Sequence, residues 1–120
     1  MARIMIVDDS DAIRMVLKDI LEIGKHELVG EASNGEDAVK EFIKTNPDLT
    51  LLDMAMPKKD GLSALKEIIS MRPNAKIVMI TASDNQHTMK ECINAGALAY
   101  ILKPFNFQDV LKTITAMINL

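Results

Sequence analysis

A doubly wound α/β domain is the fold class this sequence predicts, and three observations predict it. Five short strand-like runs recur along the chain: Ile4 to Val7, Leu28 to Glu31, Leu49 to Leu52, Ile77 to Thr81 and Ala99 to Leu102. Each is followed by a stretch whose apolar residues return every three or four positions, the period of a helix with one buried face. No Pro/Gly/Ser-rich linker, charge block or low-complexity stretch interrupts the alternation. Strand and helix alternating in this way imply a five-stranded parallel sheet, right-handed crossovers and helices on both faces.

The first run ends abruptly at Asp8 and Asp9, as a buried parallel strand does where it opens at its carboxyl end. Ile13, Val16, Leu17, Ile20 and Leu21 then keep the spacing of a one-sided helix, with Ser10 or Asp11 as its cap. After the second run, Asn34-Gly35 opens a helix carrying Ala38, Val39, Phe42 and Ile43, and Asn46-Pro47 ends it. The third run stops at Asp53, and Leu62, Leu65, Ile68 and Ile69 form the next apolar face after Asp60-Gly61, a pair that reads simply as turn and cap. The fourth helix, Gln86 to Ala95, has Met89, Cys92 and Ile93 as a core stripe and Gly96 as its stop. Tyr100-Ile101-Leu102 leads into Lys103 and Pro104. The last helix, with Val110, Leu111, Ile114 and Ile118, is capped by Asn106 with Asp109 three residues on.

The 120 residues suit one domain, 1-120, with no output domain attached. With 48% hydrophobic residues, three Phe, one Tyr and no Trp, the core must be aliphatic and rich in the nine Met. A net charge of -3 argues against nucleic-acid binding driven by phosphate contacts. Lone Cys92 forms no internal disulfide, and no signal peptide or membrane span is read in the sequence, which points to a soluble, cytoplasmic protein; a monomer is expected. His26 and His87 lack metal-ligand spacing and read as surface residues.

Sites in open α/β sheets form outside the carboxyl ends of the strands, where the strand order reverses. If the first and third strands are neighbours there, Asp8, Asp9 and Asp53 converge on one pocket. Three close carboxylates repel, and burial makes this worse. A hard divalent cation held by oxygen ligands relieves the repulsion, and so does a nearby ammonium. Mg²⁺ suits such a site because it favours one or two carboxylates with carbonyls, waters and a phosphate. Lys103 supplies the ammonium and Thr81, ending the fourth strand, a hydroxyl. Metal, lysine and hydroxyl around a carboxylate are the apparatus for phosphoryl transfer, with Asp53 as nucleophile.

The chain resembles the receiver domain of two-component response regulators, most closely its stand-alone, CheY-like chemotaxis members. The matching stretches are Ile6-Val7-Asp8-Asp9-Ser10, Leu52-Asp53-Met54-Ala55-Met56-Pro57 with Asp60-Gly61, Ile80-Thr81-Ala82, Ala95-Gly96-Ala97, and Tyr100-Ile101-Leu102-Lys103-Pro104-Phe105. Each is weak alone; together, in order along the whole chain, they are specific. The periodicity leaves the strand order open, and the flavodoxin-like order 2-1-3-4-5 is taken from known folds of this class, flavodoxin and CheY among them. The resemblance implies that Asp53 accepts a phosphoryl group from a phosphohistidine on a chemotaxis-type sensor histidine kinase. Asp8, Asp9, Asp53 and the backbone carbonyl of Ala55 would hold Mg²⁺, and Lys103 and Thr81 would bond the phosphoryl oxygens. Lys103-Pro104 resembles the family's cis peptide. Tyr100 resembles its switch aromatic, on a face of fourth helix, fifth strand and fifth helix that would bind a motor switch or adaptor protein. On this reading the protein is a signalling switch that assists its own phosphorylation and dephosphorylation, and not an enzyme.

Rival functions meet obstacles in named residues. A phosphatase of the haloacid dehalogenase type needs a second Asp two residues after the nucleophile, where this chain has Ala55. A flavodoxin-like FMN carrier would meet repulsion from Asp8 and Asp9 at its phosphate. No Gly-x-Gly-x-x-Gly follows a strand, so a dinucleotide role lacks its loop. A phosphorelay shuttle to a histidine phosphotransferase uses the same pocket and stays open as the alternative. A receiver taken from a transcription factor is a third reading, which Met1 opposes mildly.

Overall fold

The computed structural model describes residues 1–120. Along the chain lie β1 (Arg3–Val7), α1 (Asp11–Ile23), β2 (Glu27–Ala32), α2 (Gly35–Thr45), β3 (Leu49–Asp53), α3 (Gly61–Met71), β4 (Ile77–Thr81), α4 (Gln86–Asn94), β5 (Ala99–Leu102) and α5 (Phe107–Ile118). All strand pairs are parallel and their order is β2-β1-β3-β4-β5. The flavodoxin-like order adopted above is therefore the observed one.

Side-chain alternation along the strands divides the core into two layers. Ile4, Ile6, Leu49, Leu51, Val78 and Ile80 pack with Leu17, Ile20 and Leu21 of α1 and Val110 and Ile114 of α5. Met5, Val7, Leu52, Ile77 and Met79 face the other way, against Val39 and Phe42 of α2, Leu65 and Ile68 of α3, and Cys92 of α4. Both central strands β3 and β4 are buried along their whole length, which is why they read as continuous apolar runs.

Each helix begins at a side-chain cap. Ser10, Asn34, Asp60, Asn85 and Asn106 accept backbone N–H bonds from the first turns of α1 to α5 in that order. Ser10 is thus the cap of α1, and Asp11 is its first residue.

Three expected core positions lie outside the core. Ile93, assigned to the inner stripe of α4 with Met89 and Cys92, is 42% exposed, while those two are buried. The helix is only nine residues long, and its inner face is narrow enough to be filled by the 89/92 pair. Val16 and Ile43 are likewise exposed, each one position round the helix from a buried partner, Leu17 and Phe42. His26 departs from expectation in the opposite direction. It is half-buried, and its Nδ1 accepts the Ala2 N–H at 3.1 Å.

Candidate functional site

Strand register brings the charged strand ends together. Val7 pairs with Leu52, so the next residues, Asp8 and Asp53, emerge side by side. Asp53 pairs with Ile80, and Thr81 pairs with Leu102, which puts Thr81 and Lys103 at the same edge. The carboxyl ends of β4 and β5 are tied together by the Lys103 N–H, which donates to the Thr81 carbonyl at 2.8 Å. The Lys103–Pro104 peptide is cis.

Asp8, Asp9 and Asp53 form one cluster, with a carboxylate oxygen of each within 4.8 Å of the others. Asp8 and Asp53 are buried and Asp9 is exposed. The Ser10 N–H holds Asp8 Oδ1 at 2.9 Å. Lys103 Nζ bridges the two buried carboxylates, 3.0 Å from Asp8 Oδ2 and 3.2 Å from Asp53 Oδ1. Thr81 is buried and its Oγ1 accepts the Ser83 N–H at 3.0 Å. Asp9, Asp53, Ala55, Thr81, Ser83 and Lys103 line an open cavity of about 420 Å³.

The electrostatics follow from this arrangement. Burial raises the Asp53 carboxyl above its ordinary range and Asp8 adds to it; Lys103 offsets part of the rise and Asp9 adds a little more. Lys103 is held above its usual value: burial works against its charge, but the hydrogen bond to Asp8 and the charge of Asp53 outweigh that. The one ammonium contacts two of the three carboxylates, and Asp9 is left without a cation partner, so the cluster keeps an excess of negative charge facing an open cavity. An all-oxygen donor set with uncompensated charge fits a hard divalent cation such as Mg²⁺.

Comparison with known proteins shows where this arrangement belongs. The response regulator receiver domain matches residues 4–115. The chain belongs to the response regulator receiver family. The receiver is 41% identical over 112 residues to the chemotaxis protein CheY of Thermotoga maritima, covering 93% of each chain. It is 43% identical over 117 residues to the chemotaxis protein CheY of Bacillus subtilis, covering 98% of each. It superposes with a TM-score of 0.92 on a chain of the CheX-CheY-BeF3-Mg+2 complex from Borrelia burgdorferi, at 32% identity, covering 95% of the receiver and 87% of that chain.

The cavity thus gathers Asp53, Thr81, Lys103, Asp9 and Ala55, with Asp8 directly behind them. Tyr100 is not part of it. Its side chain is 40% exposed on β5, beside a groove lined by Leu102, Pro104 and Phe105. Gly61 matters more at the site than its place in a turn suggested. Its N–H donates to the Met54 carbonyl at 2.8 Å, and a Cβ there would lie 2.2 Å from the Asp53 carbonyl oxygen. The amino end of α3 therefore rests directly on the backbone of Asp53, and only glycine leaves room for it. Asp60-Gly61 was visible in the sequence, but the close approach is a tertiary fact. Arg14 gave no sign of itself in the sequence: its Nη1 donates to the Asp8 carbonyl at 2.6 Å from an otherwise ordinary helix position.

Proposed function

We propose that the receiver is a phosphoryl-operated switch whose acceptor is Asp53 and whose donor is the phosphohistidine of a sensor histidine kinase. The observation that carries this reading is the pairing of Asp53 with Lys103 at 3.2 Å, inside an acidic cluster open to solvent on one side. In the transfer, a carboxylate oxygen of Asp53 forms a bond to phosphorus as the bond from phosphorus to the histidine nitrogen breaks. The released imidazole then takes up a proton from solvent. Lys103 exchanges a carboxylate contact for the phosphoryl oxygens, and the Thr81 hydroxyl turns to donate to them. Asp8, Asp9, Asp53 and the Ala55 carbonyl would hold Mg²⁺, which when bound would neutralise charge on the transferred group. Water attack at phosphorus later breaks the bond to the Asp53 oxygen, releasing inorganic phosphate and restoring the carboxylate. The reacting group is the protein's own side chain, so the receiver is a switch and not an enzyme acting on a separate substrate.

The output lies on the face of α4, β5 and α5. Ile93, Leu98, Tyr100, Leu102 and Phe107 are all exposed there, an apolar set suited to a protein partner. Movement of Thr81 toward a phosphoryl group vacates space into which Tyr100 turns, remodelling that face. Going from mostly off to mostly on requires about 5.5 kcal/mol of differential stabilisation, within reach of a few charge-assisted hydrogen bonds at about 1.5–3 kcal/mol each. The names of the relatives, which are chemotaxis proteins, favour a partner in chemotaxis, and a motor switch or adaptor protein in the cytoplasm is the occupant this face would take. Crystals with and without a phosphoryl mimic test the switch: an identical outward Tyr100 ring in both contradicts it.

The acceptor is tested by incubation with acetyl phosphate and Mg²⁺. The expected label is base-labile and hydroxylamine-sensitive, and it disappears in Asp53→Ala. Undiminished labelling of that variant contradicts the assignment. Capture of a histidine phosphotransferase, instead of a motor or adaptor protein, by the phosphorylated form would favour the shuttle.

A further inference from the structure

Asp9 is the least anchored member of the acidic cluster. Asp8 is held by the Ser10 N–H and Lys103, and Asp53 by Lys103, whereas Asp9 is exposed and its carboxylate makes no hydrogen bond within the protein. Its direction therefore depends on the backbone that carries it. The carbonyl of Asp8 and the amide of Asp9 belong to one planar peptide unit, so whatever holds that carbonyl also sets where Asp9 begins.

One side chain holds it. Arg14 Nη1 donates to the Asp8 carbonyl at 2.6 Å, its Nε donates to Glu31 Oε1 at 2.9 Å, and its Nη2 pairs with Asp11. Lys18 takes the other oxygen of Glu31 at 2.9 Å, so the brace is itself held. The Arg14 side chain is 15% exposed although α1 is a surface helix. No backbone amide competes for the Asp8 carbonyl, because the first helical bond of α1 runs from the Arg14 N–H to the Ser10 carbonyl. All three guanidinium nitrogens are engaged in fixed directions, which a lysine ammonium cannot reproduce.

We propose that Arg14, braced by Glu31, is a positioning residue that aims Asp9 into the carboxylate cluster by holding the Asp8–Asp9 peptide. The inference rests on reading Asp8 and Asp9 as ligands of a divalent cation. Geometry and charge make opposite predictions here. A guanidinium close to a cation site repels the cation, so removing it on electrostatic grounds alone would tighten binding. Removing a group that orients a ligand weakens binding, by about 10- to 100-fold for partners that orient metal ligands.

The test is Mg²⁺ titration by calorimetry of the whole chain, with the amide resonances of Asp9 and Ser10 recorded in the metal-free protein. Arg14→Gln is expected to raise the Mg²⁺ Kd about 10-fold or more and to shift both resonances before metal is added. Lys18→Met, which removes a positive charge and one contact of Glu31 but leaves the Arg14 bond to Asp8, is expected to raise the Kd much less than Arg14→Gln does; an equal rise would overturn the inference. If Arg14→Gln does not fold, Arg14→Lys carries the test, because it keeps the charge and loses the fork; a weakened Kd is again the expected result. A Kd unchanged or lowered in the folded Arg14 variant overturns the inference while wild-type binding stands. Absence of saturable Mg²⁺ binding by the wild type, or undiminished binding by Asp9→Ala, overturns the metal reading and this inference with it.

Discussion

The ammonium of Lys103 stands 3.2 Å from the carboxylate of Asp53, fifty residues away along the chain, and 3.0 Å from that of Asp8. One cation therefore serves two buried anions from separate strands, and neither anion has another charged partner. This makes the cluster a mechanical joint between the carboxyl ends of β1, β3 and β5. A group that draws Lys103 toward a phosphoryl oxygen loosens the joint at Asp8 and pulls on β5.

Removing the shared cation should cost stability. Lys103→Met leaves Asp8 and Asp53 facing each other without a countercharge. Losing one partner of a fully buried pair costs about 3–5 kcal/mol; with the Lys103 side chain 22% exposed, about 2 kcal/mol is expected. Urea unfolding measures it, and added Mg²⁺ should recover part of the loss. Equal stability of variant and wild type without Mg²⁺ contradicts the joint.

The Asp53 carboxyl, raised by burial and by Asp8, gives stability a pH dependence of known sign. A carboxyl with a higher pKa folded than unfolded favours folding while protonated, and that contribution is lost as pH rises through the folded value. At neutral pH the ionised Asp53 is destabilising. Asp53→Asn should therefore melt higher than wild type at pH 7 without Mg²⁺, with the advantage fading as pH falls through the raised folded value and gone by the ordinary carboxylate range. A lower melting temperature at pH 7 contradicts the burial argument.

Thr50 of β3 carries a hydroxyl with no hydrogen-bond partner in a fully buried setting. Its strand neighbours are Met5 and Ile77, both apolar. Thr50→Val replaces an unsatisfied group by a methyl, and a gain of about 1 kcal/mol is expected in chemical denaturation. Phosphorylation of Asp53 should be unchanged, since Thr50 lies outside the cavity.

Gly61→Ala tests the contact between α3 and the acceptor strand. The new Cβ would lie 2.2 Å from the Asp53 carbonyl oxygen, and backbone on both sides must shift to admit it. A loss of about 3 kcal/mol is expected, together with slower phosphorylation from acetyl phosphate. Wild-type values for both would show that the loop accommodates the methyl.

The strands and the acidic cluster were legible because the same physics wrote both. A parallel strand buried on two faces is mostly apolar until it leaves the sheet, so Asp8 and Asp53 mark the ends of β1 and β3 by their charge, and Lys103 marks the end of the edge strand β5 in the same way. Helix starts were legible from Ser10, Asn34, Asp60 and Asn106, whose side chains cap locally. Strand order had to be borrowed from related folds. What stayed hidden depends on distances between segments. Ile93 has the right spacing for a core stripe but sits on the outer side of a short helix. The Gly61 contact and the reach of Arg14 to the Asp8 carbonyl are made across the fold, where no local pattern records them.

The central claim, that Asp53 is the residue that takes the phosphoryl group, is tested most directly by locating the modified side chain. Wild-type protein phosphorylated in Mg²⁺ is reduced with borohydride, which converts an acyl phosphate to an alcohol, and its peptides are sequenced by mass spectrometry. Conversion of Asp53 to homoserine, with none at Asp8 or Asp9, is the predicted result. Conversion at either of those positions, or none at Asp53, would contradict it.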